Sequence, residues 1–283
     1  MYFTKKRVVG GVRYEINKKE NTAEGFFSPK ASGNIKILSE IDGIPVVGIA
    51  HRAFEECRKL TSVTISESIK SIGKFAFCNC SGLEEIIIPR SLTNIGRWAF
   101  ALCTSLKEIS LPDGMTHIGG MFSGCKNLAA IKIPESVTDI SGAFYCCENL
   151  KEITIPGGVK KIGDRTFGGC SSLTGLNLPE GTETIGEEAF LDCVGLTQIS
   201  IPANVASIGR WAFKNCINLT EIIIPSVETD IYAVKKKGRP SIFENDDSGH
   251  AFENCPNLTI RCPANSLAAE FAKEFLIPIK ETV

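Results

Sequence analysis

Nowhere in this sequence do apolar residues run on for the roughly 18 positions a membrane-crossing helix needs, so no membrane insertion is expected. Charge of one sign is also lacking. The 31 Lys and Arg stand against 32 Asp and Glu, which denies the molecule the strong field that steers nucleic acid to a protein, and no nucleic acid partner is expected. Histidine is scarce: His51, His117 and His250 fall far apart, and no C-x-x-C pair occurs, so no metal site is expected. The nucleophile elbow G-x-S-x-G and the phosphate loop G-x-x-x-x-G-K-[ST] are both missing. Paired carboxylates such as Glu84 and Glu85 would point to opposite faces of a strand. The expectation is therefore a chain that is not an enzyme, with no catalytic residue and no cofactor. The basic opening, Met1 to Gly11, has no apolar core of the length a secretory leader requires.

Cysteine, by contrast, is abundant, with 12 residues. Nine of them, Cys57, Cys80, Cys103, Cys125, Cys147, Cys170, Cys193, Cys216 and Cys255, are separated by 23, 23, 22, 22, 23, 23, 23 and 39 residues. This is a structural period and not a disulfide or metal-ligand spacing. A Phe stands three positions before each of these cysteines and a Leu three after, as in CSGLEEIIIPRSLTNIGRWAFAL from Cys80. One such unit cannot bury its own apolar face, whereas units stacked in register line those faces into one core.

Each position then has a task. The alternation Ile86 and Ile88 inward, Glu85 and Ile87 outward, predicts a short strand, closed by Pro89, whose missing N–H ends ladder pairing. Ile95, Ala99 and Phe100 form the return side, and Gly73, Gly96, Gly163, Gly186 and Gly209 suggest tight turning before the Phe. The two 22-residue intervals lose one residue, in Ile118 to Phe122 and in Ile140 to Phe144, and a locally tighter coil is expected there. The ladder cysteines are expected to be reduced and buried, since parallel Cβ vectors one coil apart do not meet the bridging geometry. Cys78, Cys146 and Cys262 fall outside the ladder and are expected to be more exposed.

The pattern C-x-x-L-x-x-I-x-I-P-x-x-(L/V)-x-x-I-G-x-x-A-F resembles the BspA-like leucine-rich repeat family over about 220 residues, Ile44 to about Ile260. The fold class expected is an α/β repeat solenoid: a right-handed leucine-rich repeat coil with short parallel strands on the concave face. A β-rich N-terminal cap over residues 1–43 would precede a solenoid over 44–262, which carries an insertion at about 226–250. A C-terminal capping helix and tail over 263–283 would follow, with Leu267, Phe271 and Phe275 on one face and Asn265 or Ser266 as N-cap. The resemblance implies non-enzymatic recognition of a protein or glycan, often at a cell surface in an adhesin-like role. The alternative is an intracellular scaffold that uses the solenoid for self-association. Many unpaired thiols favour a reducing compartment such as the cytoplasm, against the surface role the resemblance implies.

Three surfaces are candidates for binding. The outward strand positions, from Ser62 and Thr64 to Glu221 and Ile223, are mostly small or acidic and offer no aromatic anchor. The column five residues before each cysteine reads Arg52, Phe75, Trp98, then Arg165, Glu188 and Trp211 beyond the shortened units. It sets Phe75 and Trp98 one coil apart, flanked by Lys74 and Arg97. These four residues and Trp211 form either a protein-binding surface or a partly buried patch under their neighbours. The insertion carries Lys235, Lys236, Lys237 and Arg239 at the expected tip of a hairpin between Ile231–Val234 and Ser241–Phe243, either as a solvated loop or as a partner-contacting protrusion. A monomer that binds a ligand and a self-associating chain are separable by sizing.

Overall fold

The computed structural model describes residues 4–232 and 249–282. The chain is a right-handed leucine-rich repeat β-solenoid with parallel strands and a C-terminal capping helix, and it divides into two compact units, Met1–Val137 and Thr138–Val283.

The first unit opens with an antiparallel meander of β1 (Thr4–Val9), β2 (Val12–Asn17) and β3 (Thr22–Phe26). Val12, Tyr14 and Ile16 alternate inward along β2, and the Tyr14 hydroxyl accepts the Leu38 N–H at 3.0 Å. Next come β4 (Gly33–Ile37), β5 (Glu40–Ile41) and β6 (Ile44–Ile49). The cap continues both sheets of the coil: β3 pairs in parallel with β6, and β4 with β7 (Leu60–Ile65). The next coils extend both sheets. On one sheet β8 (Ser71–Ile72) and β10 (Asn94–Ile95) follow β6; on the other β9 (Glu85–Ile87) follows β7. The pairing is in register, Ile49 to Ile72 to Ile95 and Val63 to Ile86, so identical template positions stack.

In the second unit Gln198–Ser200, Glu221–Ile223, Thr259–Cys262 and Ile279–Glu281 form one parallel sheet. Lys161–Ile162, Thr184–Ile185, Ser207–Ile208 and Asp230–Ile231 form another. Ile231 pairs with Ile208 and the Tyr232 N–H bonds the Ile208 carbonyl at 2.9 Å, so these two residues continue the coil; the rest of the expected hairpin, with Lys235, Lys236, Lys237 and Arg239, lies outside the described residues. The helix α1 (Leu267–Glu274) starts at Ser266, whose hydroxyl accepts the Ala269 N–H at 3.1 Å. It buries Ala268, Ala269, Phe271 and Ala272, with Leu267 and Phe275 at the margins of that face.

The repeated phenylalanines stack face to face inside the coil. Ring centroids lie 5.0 Å apart for Phe54–Phe77 and 5.6 Å for Phe77–Phe100 in the first unit, and between 5.0 Å and 5.7 Å from Phe144 through Phe252 in the second. At the first shortened coil the Phe100–Phe122 step widens to 6.1 Å, so the stack is not tightened there. The lost residue comes from the corner that carries the ring, which displaces the ring instead of drawing it closer.

Each ladder cysteine has a task that its spacing alone did not reveal. The Cys57 thiol donates to the Ser28 carbonyl at 3.1 Å, and seven later ones donate to the carbonyl of the Phe one coil earlier: Cys80 to Phe54 at 3.0 Å, Cys103 to Phe77 at 3.2 Å and Cys125 to Phe100 at 3.1 Å, then Cys170 to Phe144, Cys193 to Phe167, Cys216 to Phe190 and Cys255 to Phe213 at 3.1–3.2 Å. Burial pushes these thiols up, Cys125 to about 12 and Cys103 and Cys193 well above the ordinary range. No cysteine is in a disulfide. Cys262, expected to be exposed, is fully buried, because Ile260 and Cys262 are the inward positions of the strand Thr259–Cys262.

The glycines before the Phe also act differently from expectation. Gly73 and Gly96 do not occupy the left-handed region. A Cβ on Gly73 would collide with the backbone of His51, and one on Gly96 with the backbone of Lys74. They are small because successive coils touch backbone to backbone at this corner.

Candidate recognition surface

The corner two residues before each ladder Phe from Phe54 to Phe213 turns through one residue in the left-handed region. In the first unit these are Arg52, Phe75, Trp98 and Gly120, with φ of +56°, +57°, +56° and +68°. A non-glycine residue there costs about 1–2 kcal/mol, a cost the coil imposes at the same place each time. The consequence is a row of side chains projecting in parallel from consecutive coils.

Phe75 and Trp98 stack at 5.2 Å between centroids with an interplanar angle of 8°. The Arg52 guanidinium covers Phe75 at 4.9 Å from its centroid, and Glu55 holds that guanidinium through contacts of 2.9 and 3.0 Å. His51 meets the Phe75 ring edge-on at 5.8 Å. Trp98 lies directly against Gly120, where an added Cβ would stand 2.6 Å from the indole Cδ1 and 2.8 Å from Cε2. Both faces of Phe75 and of Trp98 are therefore occupied, and what faces solvent is ring edge, with Trp98 40% exposed. A sugar ring has no free face here on which to lie.

Immediately before this row in each coil stands a second one, His51, Lys74 and Arg97, all exposed. With Glu24, Ser71, Asn94 and His117 they line a shallow groove of about 550 Å³ whose floor includes Gly73 and Gly96. The structure thus brings Lys74, Phe75, Arg97 and Trp98 together with Arg52 of the same column, and adds His51, His117 and Gly120, which the sequence reading had not placed there. The one sequence signal for Gly120 was its place in the same column of a shortened coil.

Trp211 belongs to the second unit and has different company. Its indole N–H donates to the Glu253 carboxylate at 2.9 Å, the Arg210 guanidinium sits 3.6 Å from its ring centroid, and Lys214 is 4.6 Å away while pairing with Glu253 at 2.8 Å. A half-buried ring enclosed by its own charged neighbours is poorly placed as an anchor. In the same column Arg165 and Glu188 form a two-point ion pair, at 2.7 and 3.2 Å. The outward strand positions are as polar as expected. The large exposed apolar residue among them is Ile87, 52% accessible, and Glu221 lies between Arg261 at 3.8 Å and Lys280 at 3.6 Å. Among the described residues no group of three or more His, Cys, Asp or Glu is placed to hold a metal ion, and no helix is long and apolar enough to cross a membrane.

The model of the BspA type leucine rich repeat region matches residues 34–142 and 140–235 of this repeated coil, in 6 copies. The chain belongs to the BspA-type leucine-rich repeat family. Among solved structures, this family member is similar to a leucine-rich repeat protein from Bacteroides ovatus ATCC 8483, with 28% identity and a TM-score of 0.74 over 90% of this chain and 70% of that one. It is also similar to the leucine rich repeat protein of T. pallidum, with 29% identity and a TM-score of 0.57 over 76% of this chain and 91% of that one. No curated protein matches the sequence significantly. The solenoid is consistent with a non-enzymatic recognition module.

Proposed function

We propose that this BspA-type solenoid captures a macromolecular partner, in the manner of an adhesin, through the face formed by Lys74, Phe75, Arg97 and Trp98. The observation that carries the reading is the Phe75–Trp98 stack, partly exposed and pre-ordered by left-handed corners and by Arg52 and Gly120 on either side. Aromatic and Arg side chains dominate binding hot spots, and side chains already fixed lose little entropy on binding. The unpaired thiols weigh little against a role outside the cell. Nine are buried, and the ladder thiols that donate to backbone carbonyls, Cys80, Cys103, Cys125, Cys170, Cys193 and Cys216 among them, are held protonated by burial, which removes the reactive thiolate.

The test is capture of matrix proteins and cell-surface extracts by immobilised protein, compared with the double variant Phe75→Ala, Trp98→Ala. Loss of two hot-spot rings lowers capture by about 30-fold or more. Unchanged capture by a variant with native circular dichroism would sink the reading. A scaffold role has one observation in its favour: β1 is an edge strand that exposes Val8 and Val9 at 66% and 42%. Light scattering across a concentration series separates the two, since a self-associating chain grows in mass with concentration.

A further inference from the structure

We propose that two copies of this chain pair edge to edge through β1, about a two-fold axis at Val8, to form a closed dimer. The inference goes beyond the recognition reading and does not rest on it. β1 ends its sheet: β2 lies on one side, and among the described residues no strand pairs with the other.

The hairpin fixes which main-chain groups face that open side. Val9 and Val12 are partners across a two-residue turn, whose Gly10 and Gly11 both lie in the left-handed region at φ +56° and +79°. In such a hairpin the residues flanking the turn exchange N–H···O bonds, and the exchange recurs at every second pair. Val9, Arg7 and Lys5 therefore bond β2, while Val8 and Lys6 turn their N–H and C=O groups away from it. The opposite strand agrees. Arg13 is the partner of Val8, and its N–H donates to the hydroxyl of Ser28, just beyond β3, at 2.9 Å.

An edge of this kind is ordinarily guarded by charge. Here the three cations are drawn back by their own chain. Lys5 and Arg7 each meet the Asp42 carboxylate at 2.8 Å, and the Lys6 Nζ lies 5.5 Å from the centre of the Phe26 ring. Val8 and Val9 are left at the edge, 66% and 42% exposed, and Gly10 and Gly11 have open space around them.

Charge then selects the register. Antiparallel pairing of β1 with its copy must set outward-facing groups opposite one another, so the two-fold axis passes through a residue and not between two. An axis through Lys5, Lys6 or Arg7 sets a cation on its own copy, which is destabilising. An axis through Val8 sets Val8 on the partner's Val8, Arg7 beside the partner's Val9 and Lys6 beside the partner's Gly10. The central pair exchanges two N–H···O bonds and covers the more exposed of the two valines. Such a pair uses the same patch on both chains and closes at two, unlike the open growth of a scaffold. It also presents the Phe75–Trp98 face twice, the arrangement by which a repeated ligand gains avidity.

An overlap this short buries less than about 1,200 Å², the range of transient pairs, so association is read at high concentration. The experiment is sedimentation velocity of the full chain in reducing buffer from about 10 µM to about 1 mM, with hydrogen exchange at both ends of that range. The expected result is one chain's mass rising to twice that mass and no further, with slowed exchange confined to the β1 hairpin. Val8→Pro removes an outward N–H and no bond to β2, and Val8→Lys sets cation on cation; each weakens pairing about tenfold or more while circular dichroism stays native. Where Val8→Pro disturbs the hairpin, seen as faster exchange of Val12–Asn17 at low concentration, Val8→Lys decides alone. Val227→Lys, at an exposed valine outside β1, leaves pairing as it was. A chain that stays single at about 1 mM, a dimer that Val8→Lys leaves intact, or mass growing past two chains overturns the proposal. Neither Val8 variant touches Phe75 or Trp98, so failure here and failure of the recognition face are read separately.

Discussion

Replacing Gly120 by Ala probes the geometry on which the recognition face depends. Two costs arise, and they respond differently to a second substitution. The first is backbone: at φ +68° a residue with a Cβ is strained by about 1–2 kcal/mol, partly offset by the smaller entropy an Ala loses on folding, about 0.4–1 kcal/mol, for a net of about 1 kcal/mol. The second is steric. The new Cβ would stand 2.6 Å from Cδ1 of Trp98 and 2.8 Å from Cε2, far inside the optimum carbon separation of about 3.5–4.0 Å. Trp98 is 40% exposed and can swing away, but only by giving up its stack on Phe75, worth about 0.5–1.5 kcal/mol. The steric part is thus about 1 kcal/mol and the whole about 2 kcal/mol. In a Trp98→Ala background the steric part vanishes and about 1 kcal/mol remains. The double-mutant cycle should therefore show a coupling of about 1 kcal/mol, read from urea unfolding followed by far-ultraviolet circular dichroism, a signal independent of the deleted indole. Equal costs of Gly120→Ala in both backgrounds would show that the indole does not rest on Gly120, and the row of edges derived from that contact would fall with it.

Further outcomes follow from the core and the caps. In native protein a thiol reagent should label no more than the three part-exposed cysteines, Cys78, Cys146 and Cys255, within minutes, and all twelve after unfolding; rapid native labelling of more than three would contradict the buried ladder. The raised thiols also make the fold alkali-sensitive. Unfolded thiols ionise near pH 9 while Cys255 and Cys125 stay protonated to about 11 and about 12, so the native state holds more protons above pH 9 and stability is lost as pH rises from there. The urea midpoint should fall between pH 8 and pH 10, less steeply in Cys125→Ala, and parallel curves would refute the linkage. His250 gives the acid counterpart: burial against Phe271 and Phe275 lowers its pKa below 6.5, with Glu253 acting in the opposite direction, so stability is present above pH 6.5 and lost as pH falls through the folded value. A His250→Leu variant should lose less stability between pH 7.5 and pH 5 than the parent; equal losses would argue against a neutral buried imidazole. Ser266→Ala should cost about 1–2 kcal/mol in thermal or urea unfolding, since it removes both the bond from Ala269 N–H and the bond to Pro263 at 2.7 Å; a change under 0.3 kcal/mol would mean the cap does not hold the helix, on the scale of ordinary surface substitutions.

The core of this protein was open to reading because the chain states it many times. Phe, Leu, Ile and Cys recur at fixed intervals, and the parallel register that stacks Ile49 on Ile72 on Ile95 follows from that recurrence. The corners were harder. Their left-handed conformation falls on Arg52, Phe75 and Trp98, residues with no preference for it, because the coil and not the residue enforces it. The residue before each ladder cysteine is a second such corner, and there Asn79, Asn215 and Asn254 do carry the local preference, though Leu102 and Cys146 do not. Gly96 misled for the opposite reason: a glycine signals either a special φ or a close approach, and sequence does not say which. Cys262 misled because it stands outside the period yet on the inward face of a strand.

What a column does depends on which residues meet across adjacent coils, and this is why the recognition face stands out from other members of its own column. At one corner Arg52, Phe75 and Trp98 meet and form a stack that ends on Gly120; further along, Arg165 meets Glu188 and forms an ion pair instead. At the neighbouring corner Asn215 donates to Asp192 at 2.7 Å and Asn254 donates to Asn215 at 2.9 Å, building a short polar ladder from residues 23 and 39 positions apart. A charged pair or an amide ladder satisfies itself and leaves little for a partner. The aromatic row cannot: its faces are filled by the coils, and Trp98 keeps part of its edge in water. Surface chemistry in a solenoid of this kind is therefore read across the repeat and not along it, and the places worth mutating are those where neighbouring coils fail to satisfy one another.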